Sequence, residues 1–177
     1  MAHGLCLIGG ELRAEGALGS IQARAPYDGT LLASAPLSGS GEAEEALAAA
    51  STAFESWRHT PWQERKALIE RIADLVAERS EPLALLMAQE VGKPITMARD
   101  EVARLELTFR LADGLLDETQ RTELPLDFDM RGSDFRCFVE REPRGIVFGI
   151  VPYNRPYNLA AHKLAPALAA GCAIVLK

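Results

Sequence analysis

Two uninterrupted apolar runs near the end of the chain constrain its fold more than any other feature. The first, "GIVFGIV", covers residues 145–151, and the second lies in "CAIVLK", residues 172–177. Strands with consecutive apolar side chains are typical of a parallel sheet that is covered on both faces. The alanine-rich segment between them, "AAHKLAPALAAG", is long enough for the helix that a parallel crossover requires. The sequence therefore predicts a βαβ unit and an α/β fold.

The residues before this unit predict short strands that are followed by helices. Gly9-Gly10 and Asp28-Gly29 are turn dipeptides between apolar segments, so residues 5–38 predict strands and hairpin turns. From residue 40 the apolar residues recur at helical spacing. A glycine that suits a helix end, Gly92, precedes a further helix predicted over residues 95–119.

Two local patterns in the helical part predict particular side-chain roles. Thr60, Pro61 and Gln63 predict a capping box at the start of a new helix. The charged residues of the helix over 95–119 predict a solvated face; they include Arg99, Asp100, Glu101 and Arg104.

Residues 120–143 interrupt the helical pattern. The turn residues Gly132-Ser133-Asp134 precede a β-prone run from Phe135 to Val139, and both ends of the segment are charged. Charges of this kind are typical of strands that lie at an exposed edge. The segment therefore predicts a long exposed hairpin rather than a core strand.

Composition excludes several classes of protein. A net charge of −6 over 177 residues disfavours nucleic acid or an anionic membrane as the partner. The apolar runs are shorter than the ~20 residues of a membrane-spanning helix, and the N-terminus lacks the pattern of a secretory signal. Three cysteines without metal-ligand spacing predict neither a disulfide framework nor a metal site, and favour a reducing cytoplasm.

Asn154 is the candidate for chemistry. It lies between Pro152 and Pro156 in "PYNRP", where the first predicted sheet strand ends and the crossover helix begins. Ligands bind at this carboxyl edge of open α/β sheets, and a fixed amide N–H there suits a developing oxyanion. The alternative is that the Asn154 side chain only satisfies backbone groups of the turn.

Lys177 ends the second predicted strand, 23 positions after Asn154. An acidic residue near this place holds the ribose hydroxyls in a common dinucleotide fold, and a lysine could donate to them instead. The alternative is an ordinary charged strand terminus. His162 and Lys163 are expected to face solvent or to bond backbone groups.

The stretch "PRGIVFGIVPYNRPYNLAAHKLAPALAAGCAIVLK" resembles the aldehyde dehydrogenase superfamily. "APYDGTLLASAPL" and the helical segment through "EVGKP" resemble it as well, so the likeness covers nearly the whole chain. The resemblance implies the N-terminal part of that fold. Residues 1–122 would be the strands and helices of the cofactor-binding domain, 123–143 an oligomerisation β arm, and 144–177 the first βαβ unit of an incomplete Rossmann-like sheet.

The resemblance also implies roles and partners. Asn154 would donate to the oxyanion of a thiohemiacetal, and Lys177 would contact the adenosine ribose of NAD or NADP. The nicotinamide side of the cofactor would be lined by Ile150, Val151, Pro152 and Tyr153. The substrate would be a small-molecule aldehyde, oxidised to a carboxylic acid or a thioester. The whole protein would be a homo-oligomer, a dimer or a tetramer, in the cytoplasm.

The resemblance stops at Lys177, before the family's catalytic cysteine and glutamate. The catalytic cysteine of the family is matched by none of Cys6, Cys137 and Cys172, and Cys172 is expected to be core. Arg155 stands where an aromatic residue is frequent in the family, which affects the expected substrate preference. The chain alone is therefore expected to have no turnover. The alternative function is a non-catalytic truncated paralogue that pairs with full-length subunits through its β arm.

Overall fold

The computed structural model describes residues 2–114 and 121–177. The N-terminal part contains β1 (Ala2–His3), β2 (Cys6–Ile8), β3 (Glu11–Arg13), β4 (Ser20–Arg24) and β5 (Leu31–Pro36). β5 pairs in parallel with β1 and antiparallel with β4, and β2 and β3 form a hairpin. Gly9 and Gly10 both have positive φ, as a two-residue hairpin turn requires. The predicted strands and hairpin turn are confirmed.

Four helices follow: α1 (Ser40–Trp57), α2 (Trp62–Glu78), α3 (Ser80–Val91) and α4 (Ile95–Gly114). α4 packs against both α2 and α3. Gly92 ends α3 in the left-handed conformation with φ 73°, as predicted. The helix predicted over 95–119 ends at Gly114, and the rest of that prediction falls outside the described residues. Within the two described ranges, no helix has a long enough apolar stretch to cross a membrane.

The capping box predicted at Thr60 is wrong. Pro61 occupies the N-cap position of α2 with an extended ψ of 144°, and no side chain caps this helix start. The Thr60 hydroxyl instead donates to the carbonyl of Ser56 in α1. The chain turns tightly between α1 and α2, so the preceding helix end takes the hydroxyl that the pattern assigns to the new helix.

The segment after α4 forms a hairpin of β6 (Arg121–Leu124) and β7 (Cys137–Glu140), joined by a loop with a 3₁₀ turn at Met130–Gly132. All four residues of β6 are exposed, and so are the last three of β7. The exposed hairpin predicted for this region is therefore confirmed.

The chain closes with β8 (Ile146–Gly149), α5 (Pro156–Ala169) and β9 (Ala173–Leu176). β8 and β9 pair in parallel, with Ile146 opposite Ala173 and Gly149 opposite Leu176. The predicted βαβ unit is confirmed. Burial is one-sided, however, because Phe148 is 61% exposed and only β9 pairs with β8 in the described chain.

A buried cluster joins α5 to the helical layer. Alanines of α5 pack against α2 and α4 without intervening bulk; the buried members are Ile69, Ala73, Phe109, Ala112, Ala161, Ala165 and Ala169. Small side chains on α5 let these helices approach closely. The helical layer therefore fixes the position of α5 and of the turn that precedes it.

Candidate active site

The carboxyl edge of the two-stranded sheet collects the residues that the sequence singled out. The backbone N–H of Lys177 donates to the carbonyl of Gly149 at 2.8 Å, and Val151 N–H donates to the Lys177 carbonyl at 2.9 Å. The parallel ladder thus continues just beyond both strands. It places Lys177 beside the segment from Ile150 to Asn154, at the edge where open α/β sheets bind ligands.

The side chains at this edge are open to solvent. Ile150 and Tyr153 are 63% and 88% exposed, and Pro152, Asn154 and Lys177 are also exposed, whereas Val151 is half-buried. Apolar side chains and the Lys177 ammonium are therefore exposed to solvent at this edge.

The amide of Asn154 has no hydrogen-bond partner among the side chains and backbone groups of residues 2–114 and 121–177. Only its backbone carbonyl is engaged, by Lys93. The interpretation of Asn154 as a residue that satisfies its own turn is therefore not supported. Its amide N–H groups remain available for a ligand at the sheet edge.

Glu101 lies beneath this turn and is 4% exposed. One carboxylate oxygen, Oε2, is 2.6 Å from Nζ of Lys93, and the other accepts from the backbone N–H groups of Tyr157 at 3.2 Å and Asn158 at 3.4 Å. These N–H groups belong to the first turn of α5, which has no intrahelical partners for them. A carboxylate there also interacts favourably with the helix dipole.

The prediction that Glu101 belongs to a solvated helix face is wrong. Its side chain points at the start of α5 rather than at water, because α4 and α5 pack together. A signal was present in the spacing: Glu101 falls three residues after Ala98 and four before Leu105, on the apolar stripe of α4. A charged residue at such a position indicates a buried partner.

Lys93 connects this carboxylate to the candidate catalytic turn. Its Nζ donates to Glu101 and, at 2.9 Å, to the backbone carbonyl of Asn154. Gly92 directs the chain into this place through its left-handed turn. Sequence reasoning assigned no role to Lys93, although "EVGKP" was part of the family resemblance. Together Lys93 and Glu101 fix the backbone of the segment from Asn154 to the first turn of α5.

The opposite end of α5 is held in the same way. Arg65 is 7% exposed and donates from Nε to the carbonyl of Ala169 at 3.1 Å, and from a second nitrogen to the Thr60 carbonyl. Trp57 Nε1 donates to the Leu168 carbonyl at 3.3 Å. Burial lowers the pKa of the Arg65 guanidinium. A cation suits the negative end of a helix, so α5 is held at both ends by charges from the helical layer.

The cysteines lie away from this edge. Cys172 is 4% exposed and immediately precedes β9, at the strand end opposite to Lys177, as its predicted core role requires. Five residues of extended chain separate the two by roughly 16 Å. Cys6 and Cys137 belong to the N-terminal hairpin and to the exposed hairpin.

A nicotinamide dinucleotide fits the groups present at this edge. The exposed apolar surface of Ile150 and Tyr153 suits an aromatic ring, and Lys177 is a cation with no ion pair to any other described residue. Its amino group offers donors to ribose hydroxyls or to a phosphate. These groups match the chemistry of the ligand that the family resemblance assigns to the same residues.

Comparison with known proteins gives a consistent identification. The profile of the aldehyde dehydrogenase family matches residues 13–177. The lactaldehyde dehydrogenase of Methanocaldococcus jannaschii is 39% identical over 150 residues, which are 85% of this chain and 31% of that protein. This chain therefore spans about a third of the length of such relatives.

Solved structures agree over nearly the whole chain. The NADP-dependent glyceraldehyde-3-phosphate dehydrogenase of Bacillus halodurans, complexed with NADP, has a TM-score of 0.94 at 34% identity, covering 99% of this chain and 37% of its own. PnpE in complex with nicotinamide adenine dinucleotide, a protein also solved from Pseudomonas sp. WBC-3, has a TM-score of 0.90 at 34% identity, covering 99% of this chain and 35% of its own. The predicted α/β fold is confirmed, and the chain belongs to the aldehyde dehydrogenase family.

Proposed function

We propose that this chain forms the N-terminal portion of an NAD(P)-dependent aldehyde dehydrogenase that oxidises an aldehyde to a carboxylic acid or a thioester. The observation that carries this proposal is the unengaged amide of Asn154, held at the carboxyl edge of a parallel sheet beside Lys177. Membership of the family supports it.

In this proposal Asn154 stabilises charge. When a thiolate adds to an aldehyde, the carbonyl oxygen becomes an oxyanion, and a fixed N–H donor lowers the energy of that state. Pro152 and Pro156 restrict the backbone on either side of Asn154, and Lys93 holds its carbonyl. The backbone that carries the amide is thus positioned before the substrate arrives, which reduces the reorganisation that the reaction requires.

The cofactor is proposed to lie against the same edge. Its nicotinamide side would be lined by Ile150, Val151, Pro152 and Tyr153, and Lys177 would donate to the adenosine ribose. NAD or NADP, when bound, supplies the acceptor for the hydride that leaves the aldehyde carbon. Solved structures similar to this chain contain one or the other, and the proposal covers both.

The thiolate nucleophile and the water-activating glutamate are proposed to come from a part of the protein outside residues 1–177. The position of the three cysteines supports this for the thiolate, since Cys172 is core. In the overall balance an aldehyde, an oxidised cofactor and a water give a carboxylate, a reduced cofactor and two protons.

The proposal also assigns the parts of the chain. Residues 1–122 and 144–177 would belong to the cofactor-binding domain, and residues 123–143 would form the arm that joins subunits of a cytoplasmic dimer or tetramer. The exposed hairpin of β6 and β7 supports an interaction role, because both strands have an unpaired edge in the described chain. The same hairpin is what a truncated paralogue would use to pair with longer subunits.

The test measures aldehyde-dependent formation of reduced cofactor by the full-length protein and its Asn154→Ala variant. Loss of an oxyanion donor lowers kcat about 10²- to 10³-fold. Gln89→Ala removes an exposed amide of α3 and serves as the matched control, with kcat unchanged. A full-length protein that oxidises no aldehyde, or an Asn154→Ala variant with the wild-type kcat, would contradict the proposal.

A further inference from the structure

A small cavity of about 100 Å³ opens beside the Asn154 turn. Five of its six lining residues carry charges; the six are Lys93, Met97, Asp100, Glu101, Arg104 and Arg155. Lys93 connects the cavity to the proposed site, because its Nζ also donates to the Asn154 carbonyl. A group bound in the cavity would therefore lie close to the residue that is proposed to hold the reacting oxygen.

The charges that line the cavity do not cancel. Lys93 and Glu101 neutralise each other at 2.6 Å. Arg104, Arg155 and Asp100 form no ion pair with any other described residue, so two guanidinium groups face one carboxylate. Guanidinium groups lose little on desolvation and bind planar oxyanions through two parallel hydrogen bonds, which makes an anion the preferred occupant.

Arg155 is the residue that follows Asn154, so their Cα atoms are ~3.8 Å apart. Its backbone is not helical, with φ −142° and ψ 64°, and its side chain is exposed. Arg104 approaches the same cavity from α4. The two arginines thus come from separate elements that meet next to the proposed oxyanion donor.

We propose that Arg155 and Arg104 select aldehydes that carry an anionic group, a carboxylate, a sulfonate or a phosphate, a few atoms from the carbonyl. This inference rests on the proposed function. The cavity is lined mainly by charged side chains, which suit an oxyanion rather than an aromatic ring. The Asp100 carboxylate repels an anion in the cavity, so its removal tests whether charge determines the preference.

The experiment compares kcat/KM of the full-length protein for two matched pairs of aldehydes. One pair is 4-oxobutanoate and butanal, and the other is glyceraldehyde 3-phosphate and glyceraldehyde. We expect the anionic member of at least one pair to be preferred, and the two pairs show whether the cavity takes a carboxylate or a phosphate. Arg155→Gln and Arg104→Gln each lower the preference ratio about 10- to 100-fold, the range for hydrogen bonds to charged groups.

Two further variants sharpen the result. Asp100→Asn removes the opposing carboxylate and raises the preference for the anionic aldehyde. Arg71→Gln, which removes an exposed arginine of α2 that pairs with Glu78, leaves the ratio unchanged. The residual activity of each variant towards the uncharged aldehyde shows that the variant is folded.

Failure of this inference can be separated from failure of the proposed function. Oxidation of butanal and 4-oxobutanoate with equal kcat/KM, and of the second pair likewise, overturns the substrate class while the aldehyde dehydrogenase activity stands. A ratio that is the same in the wild type and in Arg155→Gln overturns it too. Absence of activity towards all four aldehydes overturns the function and this inference together.

Discussion

Glu101 and Glu81 each place a carboxylate oxygen 2.6 Å from a cationic nitrogen, but the two pairs lie in different surroundings. The side chains of Glu101 and Lys93 are 5% and 14% exposed, whereas those of Glu81 and Arg99 are about half exposed. Water screens the second pair and not the first. The contribution of each ion pair to the free energy of unfolding should therefore depend on its burial rather than on the distance between its atoms.

We predict that Glu101→Gln lowers the free energy of unfolding by about 3 kcal/mol, because it leaves the Lys93 ammonium nearly buried without a compensating charge. Glu81→Gln should cost far less, although it removes a contact of the same length. Urea titration of the full-length protein provides the measurement. Equal effects of the two substitutions would show that burial does not set the strength of the Lys93–Glu101 pair.

Function should respond to the same pair. Lys93→Met removes the donor to the Asn154 carbonyl, so it should lower kcat more than it raises KM, since the turn is less well fixed. Lys93→Arg keeps a cation and should recover part of the loss.

At the level of elements, α5 transmits the position of the helical layer to the sheet edge. Glu101 engages its first turn, and Arg65 and Trp57 engage its last carbonyls. No long side chain is needed along its packed face, where alanines dominate. The position of α5 thus depends on the contacts at its two ends. A substitution at its C-terminal end, away from Asn154, should lower the free energy of unfolding more than it lowers kcat.

Arg65→Met should therefore lower the free energy of unfolding by about 2 kcal/mol, because the carbonyls of Ala169 and Thr60 lose a buried donor. Arg65→Lys should lie between, since an ammonium lacks the fork that reaches two acceptors. Arg71→Met removes an exposed ion pair from α2, the helix that also carries Arg65, and is the control. A loss in Arg65→Met no greater than in Arg71→Met would contradict this account of the helix end.

The elements themselves could be predicted where local rules dominate. The apolar runs at 145–151 and 172–177 specify strands, and Gly9-Gly10 specifies a hairpin turn, because these patterns depend only on neighbours in sequence. Glu101 could not be placed in this way, since its partners Tyr157 and Asn158 lie more than 50 positions away. The capping box predicted at Thr60 was wrong for a related reason. The Thr60 hydroxyl lies between the end of α1 and the start of α2, and it bonds to α1.

In the candidate site, too, local patterns could be predicted from the sequence, whereas contacts between distant residues could not. Spacing alone brought Asn154 and Lys177 to one sheet edge, because the carboxyl ends of parallel strands meet there. It did not reveal Lys93, whose approach to Asn154 depends on the left-handed turn at Gly92 and on the packing of α4. The catalytic and cofactor-binding roles remain predictions that the family resemblance implies.

In the described chain, β8 leaves an apolar surface open. Phe148 is 61% exposed on β8, and Ile150, two positions further along, is 63% exposed beyond it. Two parallel strands are also too few for an independently stable sheet. These residues adjoin the proposed cofactor edge, so the surface that would bind the dinucleotide continues into one that needs further protein to cover it.

We therefore predict that the 177-residue chain, expressed by itself, self-associates, binds a dye that reports exposed apolar surface and has no aldehyde dehydrogenase turnover. Phe148→Lys should raise the monomer fraction in sedimentation experiments, because it places a charge on the open sheet. Tyr27→Lys is the matched control: this aromatic residue is 97% exposed on a turn before β5, far from the sheet in the chain, and should change association little. A monomer with one sharp thermal transition would show that β8 and β9 are stable as they stand, and turnover by this chain would place the nucleophile within residues 1–177.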